Sequence, residues 1–275
     1  MTRFDCHVHM DVKYSSAAEL ISKLDAASVT GANIISVPPN GYVFSKETAD
    51  YEERVASLLS FVSEYPDRLI PSLFIHPDEE SVLDKIDDAV SRGVRGFKMM
   101  CSDYYVYEDK SMRVLEKIAK VKRPVLFHSG ILYDGKVSSA YNRPINWECL
   151  IEIPGLRFAL AHCSWPWIDE CIALYGKMRD CRMRLGDGAC EMFVDITPGT
   201  PRIYRKELFT KLHSLGWFDY NILFGTDNEA DKYSVEYADY LQKMDDGFYD
   251  ELEVSAKVRK KIYEDNFKRF FNLQV

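Results

Sequence analysis

The chain has 275 residues, 47% of them hydrophobic, enough to bury a large core and within the size of a single barrel domain. A net charge of -8 and a pI near 5.4 argue against nucleic acid and anionic membrane as main partners, since both reward clustered Lys and Arg. Seven cysteines, an odd number without any C-x-x-C pair, read as reduced packing thiols; no apolar run is long enough to span a bilayer, and the expectation is a cytoplasmic protein.

In chain order, Phe4 to Met10 reads as a strand that sends Asp5, His7 and His9 to one face and Phe4, Cys6 and Val8 to the other, because side chains alternate with a period of two. Ser16-Ala17-Ala18-Glu19 is a capping box that opens a helix ending at Gly31. The pattern then repeats. Strand 33–37 precedes helix 48–65, strand 69–75 precedes helix 79–91, and strand 94–100 precedes helix 112–121. Strand 124–127 runs into His128, and after a longer segment a helix is expected from about Asn146. Strands 157–161, 192–196 and 221–224 complete the set, each followed by a helix, with closing helices through Phe271.

Eight short, mostly apolar strands separated by helices fit parallel strands covered on both faces, so the expected fold is α/β, a single (β/α)8 TIM-type barrel over residues 1–275. A doubly wound open sheet is the rival, but no Gly-x-Gly-x-x-Gly follows the first strand and no linker divides the chain.

In such a barrel the C-terminal strand ends ring one mouth. His7 and His9 lie at the end of the first strand, His128 ends the fifth, His162 the sixth and Asp227 the eighth, so four of only six histidines meet an aspartate there. Imidazole and carboxylate are the donors of divalent metal sites, and residues over 200 positions apart would share one ion. The bland alternative, solvent-facing or packing histidines, accounts for His213, mid-helix between leucines, and for His76, which precedes Pro77 and a helix.

These pieces resemble the amidohydrolase superfamily, within it the group that includes aromatic-acid decarboxylases. The matching stretches are Asp5-Cys6-His7-Val8-His9, Arg95-Gly96-Phe97-Lys98, Phe127-His128-Ser129-Gly130, Leu160-Ala161-His162, Phe193-Val194-Asp195-Ile196, Leu223-Phe224-Gly225-Thr226-Asp227 and the run from Ile262 to Phe271, in order across the whole chain. The resemblance implies one divalent metal, usually zinc, held by His7, His9, His128 and Asp227, with His162 as a ligand of a possible second metal or a group that polarises substrate. Such zinc lowers the pKa of bound water from 15.7 to about 7. Asp227 and His162 are the expected catalytic groups, Asp227 accepting that water's proton. Trp165-Pro166-Trp167 departs from the small residues the family often carries after the sixth strand, which reshapes the mouth.

Lys98 shares one face of its strand with Val94, Gly96 and Met100; a buried ammonium there needs a partner or must lose its charge. An ion pair with Asp227 or Asp5, or a contact to a substrate anion, is expected ahead of the carboxylated, metal-bridging lysine of some superfamily members. The loops above the mouth carry Tyr104, Tyr105, Tyr107, Tyr133, Tyr141, Arg143, Trp165 and Trp167. Of these Tyr104, Arg143 and Trp165, with Lys98, are the expected substrate contacts, the rings stacking on a planar substrate and Arg143 forking onto a carboxylate. Alternatively they pack on each other or fill a contact in a homo-oligomer. The expected activity is hydrolysis of a small, carboxylated or cyclic amide, ester or lactone by metal-activated water. The alternative is metal-dependent, non-oxidative decarboxylation of a small ring acid, although decarboxylases of this group often carry glutamate in place of the first histidine, and His7-Val8-His9 is intact. A non-catalytic metal-binding barrel is the remaining reading, set against by the long loop from Ser129 to Pro144.

Overall fold

A computed structural model describes residues 1–11, 16–42 and 47–273. Strands and helices alternate: β1 (Phe4–His9), α1 (Ala17–Ala26), β2 (Gly31–Ile35), α2 (Tyr51–Ser63), β3 (Leu69–Phe74), α3 (Val82–Arg92), β4 (Gly96–Met99), α4 (Asp109–Lys120), β5 (Pro124–Phe127) and β6 (Arg157–Leu160). Then come α5 (Ile168–Leu185), β7 (Glu191–Asp195), α6 (Arg202–Ser214), β8 (Ile222–Leu223), β9 (Asn228–Glu229), α7 (Val235–Glu251), α8 (Ala256–Lys260) and α9 (Asn266–Phe270). The Ser16 hydroxyl accepts from the Glu19 N–H at 3.3 Å, so the cap that opens α1 forms as its sequence requires.

The strands make one parallel, curled sheet in the order β8-β7-β6-β5-β4-β3-β2-β1-β9, an α/β architecture consistent with a TIM-type barrel. The expected eighth strand is split. Ile222–Leu223 pairs with β7, whereas Asn228–Glu229 pairs with β1. Between them the Phe224 carbonyl accepts from the Cys6 N–H and the Asp227 N–H donates to the His7 carbonyl. This segment therefore lies between β7 and β1 without a continuous ladder, because Asp227 adopts a left-handed φ of 59°. The helix expected from about Asn146 is instead a 3-10 run, Pro144–Glu152.

Two apolar shells hold the sheet. Val8, Ile34, Leu73, Phe97, Phe127 and Phe158 face the helices, while Phe4, Cys6, Phe74, Leu126, Phe193 and Leu223 belong to an inner cluster with Phe267, Phe270 and Phe271. Phe4 stacks on Phe267 at 4.7 Å, and Phe193 meets Phe270 edge-on at 4.9 Å, so α9 packs into that inner cluster.

The even alternation expected in β1 does not hold. Its register against β2 shifts between Asp5 and Val8, which puts Phe4 and Cys6 in the inner cluster and Val8 in the outer one. His7 and His9 still converge, but Asp5 is diverted. Its carboxylate accepts from the Thr226 N–H and hydroxyl, the His7 N–H and the Tyr233 hydroxyl, tying β1 to the segment that carries Asp227.

Candidate metal centre

His7 and His9 end β1, His128 follows β5, His162 follows β6 and Asp227 lies between β8 and β9, so one mouth collects side chains from four parts of the sheet. The ring centroids step across it: His9 to His7 is 4.9 Å, His7 to His162 5.5 Å, and His162 to His128 5.1 Å. His162 takes a left-handed turn, φ 59°, shared by Cys163 and Ser164. The Thr200 hydroxyl donates to the His162 carbonyl at 2.8 Å, and a Cβ on Gly199 would lie 2.6 Å from the Cβ of His162, so the turn after β7 is moulded to that ring.

The closest donors are three. The His7 and His9 Nε2 atoms are 3.1 Å apart, and Asp227 Oδ1 lies 3.4 Å from the first and 3.3 Å from the second. Zinc–nitrogen bonds of about 2.0–2.1 Å at tetrahedral angles set neighbouring donor atoms about 3.3–3.4 Å apart. The spacing fits one divalent ion. His128 and His162 stand outside this group of three, so the five expected ligands divide into a tight cluster and two flanking imidazoles. His128 Nε2 is buried with no hydrogen-bond partner among the described residues, which suits a further ligand or substrate contact.

Burial drives His7 and His128 well below the ordinary imidazole range, and Lys98 adds to both effects. Burial takes His162 down to about 4. All three are therefore neutral at pH 7, the form that carries a lone pair for metal. Asp227 lies far below the carboxylate range: burial opposes its ionisation, and the His9 hydrogen bond favours the charged form.

Lys98 is buried, with Nζ 3.2 Å from His7 Nε2, and among the described residues it makes no ion pair with Asp227 or Asp5. Burial lowers it to about 8, against the opposing pull of Asp227 and Asp195. Asp195 carries a role that strand periodicity did not assign: its Oδ2 lies 2.8 Å from His7 Nδ1, while its Oδ1 accepts from the Thr197 N–H at 2.6 Å. Its position at the C-terminal end of β7, one strand from Asp227, was the available signal.

A cavity of about 530 Å³ opens over the cluster, with Val37, Pro38, Phe74 and Met100 as its apolar wall and Lys98 and His128 at its base. Tyr104, Arg143 and Trp165 do not line it. Tyr104 is buried edge-on against His76 at 4.9 Å. Arg143 is half exposed, paired with Glu170 at 2.6 Å and set over Trp167. Trp165 packs toward Tyr204, and its carbonyl accepts from the Ile131 N–H. Beside Phe74, Tyr42 reaches the cavity, its hydroxyl donating to the Met100 carbonyl at 2.6 Å. It comes from the loop after β2, away from the aromatic loops that drew attention in sequence.

The family model described as amidohydrolase matches residues 4–273. No curated protein matches the chain by sequence. Among solved structures, 5-carboxyvanillate decarboxylase from Sphingomonas paucimobilis superposes with a TM-score of 0.67 at 13% identity, covering 99% of each chain. A "probable 2-pyrone-4,6-dicarboxylic acid hydrolase" from Acinetobacter baumannii, with citric acid bound, gives 0.64 at 12% identity over 99% of this chain and 100% of that one. Dihydroorotase from Campylobacter jejuni gives 0.61 at 14% identity over 100% of this chain and 84% of that one. At these identities the likeness is one of fold.

Proposed function

Because the chain belongs to the amidohydrolase family, we propose that it is a metal-dependent hydrolase of a small carboxylated or cyclic amide, ester or lactone, built on that family's (β/α)8 barrel. The observation that carries this reading is the 3.1–3.4 Å spacing of the His7, His9 and Asp227 donors, which suits a single divalent ion, zinc by its donor set. Such an ion supplies Lewis-acid polarisation and an activated water at neutral pH. His7 and His9 would hold it from one wall and Asp227 from the other. Asp227, a third exposed and facing the cavity, is placed to take a proton from water and return it to the leaving group. His162 and His128, whose Nε2 has no hydrogen-bond partner among the described residues, would face a carbonyl above the cluster, and Lys98 would meet an anionic substrate oxygen. The apolar wall suits a ring. Seven free cysteines support a reducing, cytoplasmic setting.

Decarboxylation of a ring acid is the second reading. It draws on the buried Lys98 ammonium beside His7, a charge able to receive a carboxylate, and on the fold shared with a decarboxylase. Screening the zinc-loaded protein against carboxylated lactones, cyclic amides and aryl acids, reading ring opening and carbon dioxide separately, tests both. Release of carbon dioxide without hydrolysis of any lactone, ester or amide would replace the first reading with the second.

A further inference from the structure

We propose that Asp195, at the end of β7, is a positioning residue that sets the tautomer of His7, so that the ring turns a bare Nε2 toward the cavity. The consequence for metal binding rests on the function proposed above; the tautomer does not.

An ionised carboxylate only accepts hydrogen bonds. Asp195 is fully buried, which raises its carboxyl, but the Thr197 N–H at 2.6 Å and the Lys98 ammonium favour the ionised form, and the His7 ring 2.8 Å from Oδ2 is left to donate. His7 must therefore carry its proton on Nδ1. The opposite side of the ring agrees, since the Lys98 ammonium 3.2 Å from Nε2 has no lone pair to offer and needs an acceptor there. The competing acceptor, Asp227 Oδ1 at 3.4 Å from Nε2, also lies 3.3 Å from His9 Nε2, which can donate to it, so the shorter 2.8 Å Asp195 contact decides the His7 tautomer.

The neighbouring Thr197 reaches a second ring. Its hydroxyl is 3.0 Å from His162 Nδ1. A hydroxyl can donate or accept, so this contact orients the His162 ring without choosing its tautomer. Outer hydrogen bonds of this kind change metal affinity by about 10–100-fold when lost.

Replacement by asparagine is informative because the Thr197 N–H is fixed in the backbone. It keeps the amide oxygen, so the amide nitrogen must face His7 Nδ1 and donate to it, which forces the proton onto Nε2, where a ligand's lone pair is needed. The experiment is nitrogen-15 NMR of the histidine rings in the full chain, metal-free, with zinc affinity measured by competition against a chelator. Wild type should show Nδ1–H for His7. Asp195→Asn should move His7 alone to Nε2–H and weaken zinc binding by about 10–100-fold. Thr197→Val should disturb His162 and leave His7 unchanged. An Nε2–H His7 in the wild type, measurable even if Asp195→Asn does not fold, overturns the proposal, as does Asp195→Asn with wild-type tautomer and affinity. If the wild-type tautomer is as stated but zinc binds no better than to His7→Ala, the positioning role stands and the metal-dependent function falls.

Discussion

Asp227 is given two jobs at one carboxylate, and substitution separates them. Asp227→Asn keeps an oxygen near His7 and His9 but removes the base, so zinc content should survive better than turnover; kcat and metal stoichiometry measured on one preparation decide this. Gly199 offers a complementary probe, since a Cβ there would sit 2.6 Å from His162. Gly199→Ala should displace that imidazole and lower kcat/KM by roughly 10²-fold, as small misplacements of reacting groups do, while the His7, His9 and Asp227 cluster keeps its ion. Retained activity would detach His162 from the chemistry. The histidines and Asp227 were legible in sequence because each ends a strand. Asp195 was not assigned a role, because periodicity places a carboxylate at the mouth without showing whether it faces ion, substrate or another side chain. The even face assigned to Asp5, His7 and His9 failed for a related reason: the register shift in β1 depends on its neighbouring strand.

At the scale of elements, the segment after β7 is braced from outside the sheet. Arg205 of α6 forks onto Asp245 of α7 at 2.6 and 2.7 Å and also donates to the Ile196 carbonyl, one residue before Thr197. Both side chains are buried, so removing one leaves the other's charge without a partner. Asp245→Ala should cost about 3–5 kcal/mol in urea unfolding, and a loss under 1 kcal/mol would mean that water or a nearby group replaces the carboxylate. The helix and strand order was readable from apolar spacing and caps. The 3-10 run at 144–152 and the left-handed turn at His162 were not, since both answer to tertiary packing. The same holds for Tyr104, Arg143 and Trp165: loop composition marked them as mouth residues, but pairing with Glu170 and packing against His76 and Tyr204 draw them elsewhere.

For the whole molecule, β1 and the segment between β8 and β9 hold each other through Asp5, and both carry proposed ligands, so metal binding should stabilise the fold beyond its own site. Free ion at about 100 times its Kd adds about 2.7 kcal/mol if only the folded chain binds it. Thermal unfolding with and without a chelator should therefore differ by several degrees, and His7→Ala should abolish that difference. The most direct measurement is elemental analysis of the purified chain beside His7→Ala. About one divalent ion per wild-type chain, absent from the variant, is the result that the donor spacing predicts. Equal metal in both, or none that zinc supplementation restores to the wild type, would contradict a metal centre at His7, His9 and Asp227.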